Sequence, residues 1–200
     1  MKRAPAPPRK SHQQATRAQA HLRELRLEHA LLEHVPPTLL GARLTQALPV
    51  YSLDPPLPEG GALLARAARR IAWLYFLEHE SHKGALEIGF EGGRHGRPRF
   101  EEGGAINGLL EAVRKARRRR GAAVRDAQLR LLRIHVLHLH CLWWHGKTDT
   151  IVPLRATAPL LEAGVDYPPD RFLKAAAKAA EAVLALHAKF SEFGRGGPQG

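Results

Sequence analysis

Apolar positions along this chain recur at two periods, and the switches between them mark out its elements. From about Gln13 to Glu33, QQATRAQAHLRELRLEHALLE is built of good helix formers with Leu22, Leu25, Leu31 and Leu32 near helical spacing. The pattern predicts an amphipathic helix ended by Pro36 and Pro37. The following VPPTLLGARLTQALPVYSLDPPLPEGG alternates proline and glycine with short apolar groups, and reads as a connector that packs in pieces. After Gly61, ALLARAARR suits a short helix, and IAWLYFLEHESHKGALEIGFEGG offers two β-rich runs around a polar turn at His79 to Gly84. In the alternative, the helix runs on from Ala62 through Glu78, since LLARAARRIAWLYFLE has apolar groups on nearly every face.

FEEGGAINGLLEAVRKARRRRG carries acidic residues before its apolar core, basic residues after it and Gly121 as a stop, which predicts a helix from about Gly104 to Arg120. From Gln128, LRLLRIHVLHLHCLWWH is rich in β-formers and is followed by the polar turn GKTDT and a second apolar run, IVPL, which predicts a second hairpin. The last element, PPDRFLKAAAKAAEAVLALHAKF, has prolines at its entrance and Asp170 in its first turn, with Phe172, Ala176, Ala180, Val183, Leu184 and His187 on one stripe. The expected fold is α+β: an antiparallel sheet of two hairpins with helices packed on one face, plus the N-terminal helix. Its expected organisation is a disordered basic arm over 1–12, an N-terminal helix and proline-rich connector over 13–59, an α+β domain over 60–193 and a flexible tail over 194–200.

With FEEGGAINGLLEAVRKA after the first hairpin, and LHCLWWHGKTDTIVPL leading toward VDYPPDRFLKAAAKAAE, the chain resembles a loose group of uncharacterised bacterial proteins. The resemblance covers the last two thirds and rests on structural motifs. It implies an α+β fold and carries over no activity, cofactor or catalytic residue.

Composition narrows the setting. Two hundred residues with 44% hydrophobic content can bury a core without metal or disulfide staples. The one cysteine, Cys141, has no internal partner, and MKRAPAPPRK has the charged start of an export signal without an apolar stretch behind it, so a cytoplasmic setting is expected. No apolar run reaches membrane-spanning length. A net charge of +12 and a pI near 10.7 favour polyanionic company, although arginine, alanine, glycine and proline are also abundant in proteins from GC-rich genomes whatever their function.

The densest candidate chemistry is IHVLHLHCLWWHG, residues 134–146, with four histidines, the only cysteine and two of the three tryptophans. If 132–145 form one strand, alternation puts His138 and His140 side by side with Ile134, Val136, Leu142 and Trp144, and Cys141 on the other face. That pair could supply two ligands to a divalent metal, with a third from His79, His82 or Glu78; the competing reading is a sheet face with ordinary hydrogen-bonded histidines. GKTDT is no phosphate loop, because the glycine required five positions earlier is Cys141 and a strand rather than a helix follows. Cys141 sits mid-strand as a small buried hydrophobe, and none of Ser11, Ser52, Ser81 and Ser191 lies in a nucleophile elbow.

The most concentrated charge is Arg114, Lys115, Arg117, Arg118, Arg119 and Arg120, to which Lys2, Arg3, Arg9, Lys10, Arg125, Arg130 and Arg133 could add. Arginine forks on such a surface bind phosphate oxygens, while cations at a helix C-terminus are also favourable in any protein. The reading that follows is a binding protein rather than an enzyme, requiring no cofactor, with an anionic macromolecule as partner and nucleic acid as one candidate. Two rivals stand beside it. One is a metal-binding protein or metal-dependent enzyme using His138 and His140; the other is an assembly protein that pairs with a copy of itself.

Overall fold

In the computed structural model, residues 12–13, 15–17, 42–79, 81–91, 94–120, 127–155 and 161–193 are described. The expected arm, most of the N-terminal helix and the glycine-rich tail lie outside them. The chain is α+β, with an open, mostly antiparallel sheet of seven strands: β1 (Arg43–Ser52), β2 (Arg69–His79), β3 (His82–Glu91), β4 (Arg94–Glu102), β5 (Gln128–Ile134), β6 (Leu139–His145) and β7 (Thr150–Pro153). Their order is β4-β3-β2-β1-β5-β6-β7; residues 12–13 and 15–17 are helical, and three further helices follow, α1 (Gly61–Ala67), α2 (Gly104–Arg120) and α3 (Pro169–Phe193). Seven strands replace the four expected from the two-hairpin reading. Part of the proline-rich connector is β1, an interior strand that carries the buried Pro49, and the arginine-rich stretch before α2 is β4.

Two compact units make up the chain, the first containing residues up to Tyr51 together with Arg70–Arg130. In this unit β2 is buried continuously from Ala72 to Leu77, which explains its unbroken apolar run: both faces of the strand are covered. Helix formation through Glu78 gives way here to a strand, with α1 stopping at Ala67. β2 and β3 pair antiparallel in a register that closes on His79 opposite His82. On one face Trp73, Tyr75 and Leu77 pack with Leu86, Ile88, Ala42 and the helical residue Ala15. On the other lies α2, which buries Ile106, Leu109, Leu110 and Val113 at helical spacing and reaches Glu78 and Lys83 with its polar edge.

The second unit contains Ser52–Arg69 and the chain from Leu131 onward. Here the expected single strand over 132–145 is broken. β5 ends at Ile134, His135–Leu137 form a single 3-10 turn, and His138 takes a left-handed conformation with φ 47° before β6 begins. Only four residues separate two neighbouring strands, too few for a parallel crossover, so this is a hairpin. β6 then pairs with β7 from Cys141 opposite Pro153 to Trp144 opposite Thr150.

α3 packs through Phe172, Leu173, Ala176, Ala179 and Ala180 against the 3-10 turn, β7 and α1. The predicted stripe runs further than the packing does: Leu184 and His187 are exposed, as are Leu186 and Phe190. Where α3 begins, the Gly61 amide donates to Asp170 Oδ1 at 2.7 Å, and a Cβ on Gly61 would stand 2.5 Å from Pro169 Cβ. Glycine is required there because the two helix starts approach too closely for any side chain.

Candidate functional site

The run at the end of α2 resolves into residues that are neutralised and residues that are not. Arg114 belongs to the fold. Its guanidinium pairs with Glu78 on β2 and, at 3.1 Å, with Glu111 one turn earlier, while Lys83 donates to the same Glu111 at 3.1 Å. Glu78 also accepts from Thr45 Oγ1 at 2.8 Å, so four charges and a hydroxyl form one connected network over the hairpin tip. Donation from Lys83, and then the nearby charges of Lys83 and Arg114, hold the Glu111 carboxyl below the usual range.

Lys115, Arg117 and Arg118 differ. All three are exposed, and none is in an ion pair among the described residues. Lys115 and Arg118 are neighbours at i, i+3, and Arg118 follows Arg114 at i, i+4. The side chains of Arg119 and Arg120, like all of Arg125, lie outside the described residues. Arg130 is committed locally, with its guanidinium 4.6 Å from the Tyr51 ring and Nε donating to Gln128 at 2.9 Å.

The proposed histidine pair loses its geometric premise. His138 is exposed on the left-handed residue that closes the turn, whereas His140 is the second residue of β6, so the two do not share a strand face. Turn formation here needs no glycine because histidine is among the residues that tolerate the left-handed region best. Among the described residues, no group of three or more His, Cys, Asp or Glu side chains is placed to hold a metal ion.

What organises the segment instead is Asp149, a residue whose expected role was only to turn the chain. Its carboxylate accepts from the Trp143 indole at 2.9 Å, from the Gly146 amide at 3.0 Å and from His145 Nδ1 at 3.1 Å. An ionised carboxylate only accepts, so this contact assigns the His145 proton to Nδ1 and leaves Nε2 as the basic nitrogen. The His145 ring also meets the buried Trp143 edge-on, with centroids 5.1 Å apart. An Asp-oriented imidazole is a usual component of acid–base sites, and the one thiol of the chain is not beside it. Cys141 shares the strand face at a distance of about 13 Å along β6, is fully buried, and has its thiol pushed well up by that burial. An i, i+4 His and Asp flanking a short polar turn was the sequence signal for this pair.

No helix among the described residues is long and apolar enough to cross a membrane. No protein-family model matches the chain, and no curated protein or solved structure matches it.

Proposed function

We propose that the chain is a non-enzymatic binding protein that engages an anionic macromolecule, with nucleic acid as the class to be tested, through the C-terminal turns of α2. One observation carries this reading: Arg114 is neutralised by Glu78 and Glu111, whereas Lys115, Arg117 and Arg118 beyond it are exposed without a carboxylate partner among the described residues. The helix terminus itself contributes roughly half a negative charge, which three unpaired cations outweigh. A net charge of +12 adds long-range attraction for any polyanion.

Titration of the full chain with mixed-sequence DNA and RNA at about 50 mM salt tests it. Binding is expected, weakening linearly on a log–log plot as salt rises. Replacing Lys115, Arg117 and Arg118 together by alanine is expected to reduce that slope by roughly two to three, one counterion for each lost phosphate contact. Absence of binding at low salt, or an unchanged slope in the triple variant, overturns the assignment.

A further inference from the structure

The tip of the β2–β3 hairpin shows two unlike faces. Register sets Glu78 opposite Lys83 and His79 opposite His82, and alternation sends the two pairs to opposite sides of the sheet. On the charged side every group is satisfied: Glu78 by Arg114 and Thr45, Lys83 by Glu111. On the other side the two imidazoles sit half-buried, beyond Leu77 at the rim of the Trp73–Tyr75–Leu77 core. Each has its Nδ1 shielded from solvent, and neither Nδ1 has a hydrogen-bond partner among the described residues.

A buried imidazole nitrogen needs a partner in either tautomer. Protonated, Nδ1 is a donor with no acceptor; unprotonated, it is a lone pair with no donor, and leaving such an atom unmet forfeits the hydrogen bond that water would supply in the unfolded chain. Two such atoms occur here on residues that are direct cross-strand partners, whose Cβ atoms stand about 5 Å apart in antiparallel pairs. A tetrahedral ion with bonds of about 2.0–2.1 Å to nitrogen brings its two ligating atoms to roughly 3.4 Å, a separation that two side chains on such a pair can reach.

We propose that His79 and His82 form a two-imidazole site for a borderline transition-metal cation, of which zinc(II) and copper(II) are the test ions. Both lone pairs are met at once by one ion, with the proton of each ring on Nε2. Glu78 cannot join, because it lies on the other face and is held by Arg114 and Thr45. No third His, Cys, Asp or Glu is grouped with the pair among the described residues, so the affinity is lower and the exchange faster than in a closed four-ligand site. This site is independent of the anion surface: it uses the face of the hairpin away from α2.

The test uses the full chain without a histidine tag. Zinc(II) alone, titrated in competition with a weak chromophoric indicator, is expected to bind at one stoichiometric equivalent of moderate affinity. His79→Ala and His82→Ala are each expected to weaken that equivalent by tenfold or more, since either change breaks the chelate, whereas His138→Ala leaves it intact. Folding of the variants need not be assumed, because zinc titration of the unaltered chain should shift the imidazole nitrogen resonances of His79 and His82 before those of other histidines. Absence of a stoichiometric equivalent, its survival in a His79→Ala/His82→Ala chain, or first shifts at other histidines would each overturn the proposal.

Discussion

Two stretches of this protein carry closely spaced histidines, and they fare in opposite ways. Residues 134–146 hold four, yet the chain reverses between them: His135 and His138 fall in a turn, His140 in a strand, and His145 on the carboxylate of Asp149. His79 and His82, with two residues between them, become direct partners across a tight hairpin, and their Nδ1 atoms are left without hydrogen-bond partners among the described residues. Density along the chain therefore says little about convergence in space. A reversal between two residues disperses a cluster or creates one, according to whether they end as cross-strand partners.

The largest expected effect concerns what holds the histidine-rich stretch together. Asp149→Ala removes the acceptor of a buried indole N–H, a backbone amide and an imidazole, and should lower stability by about 2–3 kcal/mol in urea denaturation. His145→Ala, with its ring partly exposed, should cost less than about 1 kcal/mol. Equal losses would mean that the imidazole rather than the carboxylate is the anchor. A smaller effect of opposite sign is expected at the reversal. His138→Gly relieves a left-handed backbone and should raise stability by up to about 1 kcal/mol, part of the gain being offset by greater freedom of the unfolded chain. A clear loss would show that the His138 side chain supports the turn.

The smallest effect lies on the charged face of the other hairpin. Because the Glu111 carboxyl titrates lower in the folded chain than in the unfolded one, its pairing with Lys83 and Arg114 contributes at neutral pH and is lost as pH falls through its folded value. The stability difference between the unaltered chain and Glu111→Gln should therefore shrink from pH 7 toward pH 3 in parallel urea melts. A difference that does not change with pH would remove the network from the account.

Local pattern was enough to read several elements. α2 begins at Gly104 and ends at Arg120 as its apolar spacing and terminal charges require, and the polar turn after the first β-rich run does close a hairpin. β1 was hidden because Pro49 lacks an amide donor and proline clusters flank the strand, a signature of irregular chain. β4 was hidden by its glycine, proline and arginine content. The turn at His135–His138 contains none of the residues that announce a turn, and the far half of α3 has an apolar stripe with nothing packed on it among the described residues. Of the six basic residues proposed on α2, nothing in the spacing distinguished Arg114, which the fold consumes, from Lys115, Arg117 and Arg118.

By itself the sequence determined the class of fold, the helices with one apolar stripe, the absence of an internal disulfide and the excess of positive charge, because these depend on composition and on periods of two and 3.6 residues. Only the tertiary structure decided which charges are spent, which carboxylate gathers Trp143, Gly146 and His145, and which histidines meet. Those outcomes depend on strand register and on which helix covers which face, and both are settled by contacts between residues far apart in the chain.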